Sequence, residues 1–90
     1  MKYNILGGVA LASVCDENML VATQKATEKV PAIKKVNETG AFVWRMLEQE
    51  KSLEEMAAEA AVKYEIPPEE SRAGILDFIK ELKSMGYIVQ

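Results

Sequence analysis

Histidine is absent from these 90 residues, and cysteine and tryptophan occur once each. Without His, neither a Ser-His-Asp nor a Cys-His mechanism can be assembled. Zinc sites that draw on Cys and His are excluded for the same reason. The lone Cys15 has no intrachain disulfide partner, so a reducing, cytoplasmic compartment is expected. Asp16 and Glu17 follow it directly, so no adjacent cation activates the thiol, and Cys15 reads as a small half-buried hydrophobe. No segment approaches the run of about 20 apolar residues that spans a bilayer, so no membrane association is expected. Gly7-Gly8 stands alone, without the spacing of a phosphate-binding loop. No metal or cofactor site is expected.

What is present is apolar and charged in ordinary proportion: 49% hydrophobic and 28% charged residues. About a quarter of the chain is Leu, Ile, Val or Phe, above the level of roughly a fifth that marks disorder. The length suits one domain over residues 1–90, with a small core, modest stability and little room for a large catalytic cavity. Residues 1–37 are net basic and residues 38–90 net acidic, within a total of −3. An acidic C-terminal half argues against a phosphate backbone as its partner. Met1-Lys2 followed by an uncharged run from Ile5 to Cys15 superficially resembles a signal sequence ending in a lipoprotein cleavage site. Val14 stands where such a site needs a small residue, and Gly7-Gly8 interrupts the run. A buried N-terminal strand is the better account.

The hydrophobic pattern changes period midway. Strands are expected at about 9–14, 19–23 and 32–36. The first two form a hairpin around the turn cluster Asp16-Glu17-Asn18, with both faces of the first strand covered. Gln24 to Val30 reads as a loop or ragged strand end stopped by Pro31. Asn37 then suits a helix N-cap, with Glu38 in the first turn. A helix over about 38–49 follows, where Gly40 permits close backbone packing. Ser52 and Glu55 have capping-box spacing and start a helix over about 53–64. Pro67-Pro68-Glu69-Glu70 begins a third helix over about 68–85. Its apolar stripe is Ile75, Phe78, Ile79, Leu82 and Met85. Gly86 ends it in a left-handed conformation, and Tyr87-Ile88-Val89 packs back as an extended tail. Three strands followed by three helices give an α+β fold, a three-stranded antiparallel sheet beside a winged helix-turn-helix-like cluster.

Three functional classes can be weighed. For an enzyme, Glu54-Glu55 and Glu69-Glu70 are the candidate carboxylate pairs, but both sit where acidic residues stabilise helix starts. For DNA recognition, the third helix should open with Arg, Lys, Asn or Gln, and it opens Pro68-Glu69-Glu70-Ser71-Arg72. For peptide binding, Ala32, Ile33, Lys34, Lys35 and Val36 form an edge strand in a three-stranded meander, with unpaired N–H and C=O groups open to an incoming strand. Lys34 and Lys35 read either as charges that keep the edge from pairing with itself or as a positive rim for an acidic peptide. Arg72, Leu76, Lys80 and Lys83 form a stripe beside the core face. It reads equally as a groove wall or as a solvated surface with a stray Leu.

One segment carries a family resemblance. Val36-Asn37-Glu38-Thr39-Gly40-Ala41-Phe42-Val43-Trp44 resembles the Leu-Asn-Glu-Thr-Gly-Ala-x-Ile-Trp block of PqqD-like proteins. Ser52-Leu53-Glu54-Glu55-Met56 is similar to the start of that family's second helix. Ile75, Phe78, Ile79, Leu82 and Gly86 match its third-helix ending. The match spans about residues 9–89, and the chain departs from the pattern at Gly74, where Asp is common in the family. The resemblance implies a non-catalytic recognition element for ribosomally made, modified peptides. Such a domain holds a precursor's leader as an added strand against strand three and helix three. It presents the core to a modifying enzyme, in this family often a radical S-adenosylmethionine enzyme. The site carried over by position is Ala32–Val36 with Arg72, Leu76, Ile79, Lys80 and Lys83. The expected guest is an acidic, amphipathic leader, and the expected state a monomer with dimerisation left open. The alternatives are a winged-helix transcriptional regulator and an accessory subunit that binds only its enzyme.

Overall fold

The computed structural model describes residues 3–89. Met1 and Lys2, the charged start of the signal-like segment, lie outside the described residues, as does Gln90. Strands β1 (Val9–Val14), β2 (Glu17–Ala22) and β3 (Ile33–Val36) form an antiparallel sheet in the order β1-β2-β3. Helices α1 (Glu38–Glu48), α2 (Leu53–Tyr64) and α3 (Pro68–Met85) follow. The expected α+β order is therefore the observed one.

The β1–β2 turn is tighter than its sequence suggests. Val14 pairs with Glu17, leaving Cys15 and Asp16 as a two-residue turn with φ of 51° and 65°. Left-handed φ at both positions matches the twist of a hairpin. β2 thus begins at Glu17, not 19, and Asn18 lies within the sheet, where its Oδ1 accepts from Ser13 Oγ at 2.5 Å. Cys15 is exposed, not half-buried, because it occupies the turn itself. The expected loop at 24–30 contains one 3-10 turn, Ala26–Glu28, which buries Ala26 and Val30 in the core.

Strand alternation assigns the two sheet faces. Val9, Leu11, Leu20, Ala22 and Val36 face the helices, with Leu20 fully buried. The other face carries Ala10, Ala12, Val14, Met19, Val21 and Ile33 and has no layer over it among the described residues. β1 was expected to be covered on both sides; the helices all pack on one side, so only one is.

Local signals fix the helix ends. Asn37 Oδ1 accepts the Gly40 N–H at 2.7 Å and caps α1. Ser52 and Glu55 exchange the reciprocal bonds of a capping box at α2. Gly86 leaves α3 with φ +97°. A Cβ there would sit 3.2 Å from the Lys29 carbonyl oxygen, so the chain turns closely past the 3-10 segment. The tail then pairs with the N-terminal segment: Leu6 N–H donates to Tyr87 C=O and Val89 N–H to Asn4 C=O, each at 2.8 Å. Trp44 and Tyr87 meet edge to face at 6.2 Å in the core. Their indole N–H and hydroxyl have no hydrogen-bond partner among the described residues, and burial pushes the Tyr87 pKa above its ordinary value. Ser71, buried on α3, donates its hydroxyl to Ala57 C=O at 2.8 Å and locks α3 to α2.

Candidate functional site

β3 is an edge strand, bonded to β2 on one side only. The Ala22 N–H donates to Ala32 C=O at 2.9 Å, which marks 22–32 as a hydrogen-bonded pair. In an antiparallel ladder such pairs alternate with non-bonded ones. Leu20–Lys34 and Asn18–Val36 are therefore bonded, and the main-chain groups of Ile33 and Lys35 point away from the sheet. These two residues supply the free N–H and C=O groups of the edge.

The neighbouring wall is α3. Lys34 reaches Glu81 across the gap at 3.6 Å. Phe78 Cζ lies 3.2 Å, and Val36 Cβ 3.3 Å, from where a Cβ on Gly40 would stand. Gly40 is thus the residue that lets β3, α1 and α3 converge, because any side chain there displaces Phe78 or Val36. Gly74, Asp77, Phe78 and Glu81 share this flank of α3 by their three- and four-residue spacing. Between the three helices lies a cavity of about 240 Å³ whose lining includes Asn37, Gly40, Tyr64, Gly74, Ile75 and Phe78. The Tyr64 hydroxyl is buried without a hydrogen-bond partner among the described residues.

The structure brings together only part of the site expected from sequence. Ala32, Ile33, Lys34, Lys35 and Val36 stand together at the edge, with Lys34 and Val36 turned toward the helices and Lys35 paired with Glu17 at 3.0 Å. Ile79 is 2% exposed and belongs to the core, where no guest can touch it. Arg72, Leu76, Lys80 and Lys83 do not face β3. Arg72 Nε donates to Glu54 at 3.1 Å, at the first turn of α2. Turning about 100° per residue, the helix sets Leu76, Lys80 and Lys83 on or next to that flank, across the core face from Phe78 and Glu81. The stripe therefore runs along the flank of α3 opposite Glu81.

Sequence reasoning missed Glu81 and Asp77, and it assigned Phe78 wholly to the core. The three-residue joint between α2 and α3 makes the two helices neighbours but does not choose the flank of α3 that meets the sheet, so the sequence carries no local signal for these residues. Among the described residues no cluster of three His, Cys, Asp or Glu could hold a metal ion, and no helix is long and apolar enough to cross a membrane.

A meander with one open edge beside a helix-turn-helix defines a small winged-helix-like domain with a strand-and-helix groove. The family described as coenzyme PQQ synthesis protein D (PqqD) matches residues 27–88, and the chain belongs to that family. Two solved structures share the fold. One is described as TbiB1 in complex with the TbiA(beta) leader peptide: TM-score 0.76, 22% identity, covering 94% of this chain and 93% of that one. The other is described as lasso peptide synthetase B1 complexed with the leader peptide: TM-score 0.81, 16% identity, covering 100% of both chains. No curated protein matches the chain in sequence.

Proposed function

We propose that this chain is a non-catalytic, cytoplasmic peptide-binding domain. It takes the leader of a ribosomally made precursor peptide as a fourth strand on β3 and presents it to a modifying enzyme, taken as a radical S-adenosylmethionine enzyme. The observation that carries the reading is the pair of outward main-chain groups at Ile33 and Lys35 beside the α3 groove. Both solved relatives in fold carry a leader peptide in their descriptions.

The geometry revises the guest's chemistry. A guest residue whose side chain lies on the same face as Lys34 and Val36 points toward α3. There Phe78 offers apolar surface, and Asp77 and Glu81 carry negative charge, one of them already met by Lys34. With Arg72, Lys80 and Lys83 on the far flank, little remains to favour an acidic leader. A leader that sets an apolar side chain against Phe78 and a neutral or cationic one near Asp77 suits this wall.

The test is an amide NMR titration of the chain with a synthetic leader peptide of a candidate precursor. Shifts and exchange protection are expected at Ile33 and Lys35 and along Gly74–Glu81. Shifts confined to Arg72, Leu76, Lys80 and Lys83 would overturn the reading.

A further inference from the structure

Nothing in the backbone or its surroundings requires glycine at position 74. It lies inside α3 without a positive φ, and a Cβ there would have nothing within 4 Å. Glycine is the poorest helix former after proline, so the residue weakens α3 with no local gain. Its place is in the wall of the cavity of about 240 Å³ between the three helices. Gly40, Val43, Ala60 and Ile75 are buried at the floor of this cavity, and Asn37, Thr39 and Gly74 are exposed at its mouth. On the footing of strand addition to β3, we infer that the cavity receives an aromatic side chain of the guest peptide and that Gly74 is the residue that keeps its mouth open.

Position points to the guest strand as the source of the occupant. Asn37 follows β3 directly, and Gly40 in the floor stands against the last residue of that strand: a Cβ on Gly40 would lie 3.3 Å from Val36 Cβ and 3.2 Å from Phe78 Cζ. A guest residue beside Val36, with its side chain on the helix-facing side, is therefore the part of an added strand nearest the mouth. Such a guest needs an anchor. Only Ile33 and Lys35 turn main-chain groups outward, and Pro31, next in the alternation, has no N–H. Main-chain hydrogen bonds made in exchange for those to water contribute little each. A side chain entering a preformed apolar pocket adds both affinity and selectivity.

Size and lining select its chemistry. A cavity of about 150 Å³ holds a benzene molecule. At about 240 Å³ this one is larger than Val or Leu would fill, and the part left empty would deprive its walls of contacts. An aromatic ring fills it better and finds two further rings, Tyr64 and Phe78, in the walls. The charged lining residue among those described is Glu70, which is exposed and disfavours an acidic occupant.

The experiment is calorimetric titration of a synthetic leader peptide of a candidate precursor, and of the same peptide with its aromatic residues replaced by Ala, into the parent and Gly74→Leu. The new side chain stands in the mouth and has the better helix propensity, so the variant should melt at or above the parent's temperature. The unaltered leader should bind Gly74→Leu about tenfold more weakly than the parent. The Ala-substituted peptide should bind both proteins alike, the non-additivity expected when two changes remove one contact. Toluene probes the cavity alone: it should shift the amide signals of Val43, Ala60 and Ile75 in the parent and not in Gly74→Leu. Should Gly74→Leu fail to fold, Gly74→Ala takes its place, its methyl having open space, with a smaller loss in the same pattern. Absence of toluene shifts in the parent overturns the inference. So does a leader that shifts Ile33 and Lys35 yet binds as well without its aromatic residues, or binds the position-74 variant as well as the parent; strand addition then stands without the pocket. A leader that shifts neither Ile33 nor Lys35 removes strand addition itself, and the pocket's occupant with it.

Discussion

The two flanks of α3 carry similar-looking residues to different ends. On one, Glu81 meets Lys34 of β3 and Phe78 meets Val36 at Gly40, with Gly74 and Asp77 on the same flank by their spacing. On the other, Arg72 is held by Glu54 of α2, Lys80 and Lys83 are exposed, and Leu76 is half-buried. In the sequence both flanks are equally near the core stripe of Ile75, Ile79 and Leu82. Periodicity finds the buried face of a helix, but it is blind to left and right about that face. Only the packing of α2 and the sheet on opposite sides breaks the tie. Cations next to an apolar residue therefore suggested a groove wall that the fold turned elsewhere.

The largest effect that tests this contrast is expected from Ile33→Pro. It removes an outward N–H without touching a β2–β3 hydrogen bond, and proline is tolerated at such edges. Leader affinity measured by calorimetry should fall more than about tenfold, or 1.4 kcal/mol, with the circular dichroism spectrum retained. Unchanged affinity in a folded variant would remove β3 from the site. A smaller, sign-dependent effect is expected from Glu81→Lys. It replaces a half-exposed ion pair at 3.6 Å with two facing lysines. Stability should change by less than about 1 kcal/mol. Binding of a leader variant carrying an added Lys should weaken several-fold, and that of one carrying an added Glu should strengthen, both effects fading with salt. Equal response of the two peptides would place the guest's charges away from α3. The smallest effect belongs to the far flank. Leu76→Asp should leave leader affinity within about twofold, as surface changes away from a contact do. A tenfold loss there would restore the stripe as the groove wall.

Architecture was more legible than the site for a physical reason. Caps, turns and periodicity are local: Asn37, the Ser52–Glu55 box, Pro68 and Gly86 each act within one helical turn of themselves. The edge character of β3 was also legible, because a meander of three strands leaves its last strand open. The tight β1–β2 turn was hidden because Cys15 is not a residue type that announces a left-handed φ. Val30 and Ala26 were read as loop because a single 3-10 turn has too few residues to show a period. The groove itself depends on which flank of α3 meets β3, and on Phe78, Val36 and Gly40 converging from three elements. No window of sequence contains that convergence.

The pairing of Asn4–Leu6 with Tyr87–Val89 has a consequence for the order in which the molecule assembles. It closes a loop of nearly the entire chain for two main-chain bonds, which together make the single bridge between Ile5 and Ile88. A loop that long carries a large entropy cost before any contact offsets it. The hairpin and the helix pair close short loops, so they are expected to form earlier and the terminal pairing last. The same order runs in reverse on opening, since the contact with the longest loop and little surrounding sheet is the first to come apart. Tyr87 and Ile88 leave with it, and Tyr87 is what covers one side of Trp44. Opening of this seam is therefore the step expected to admit water to Trp44.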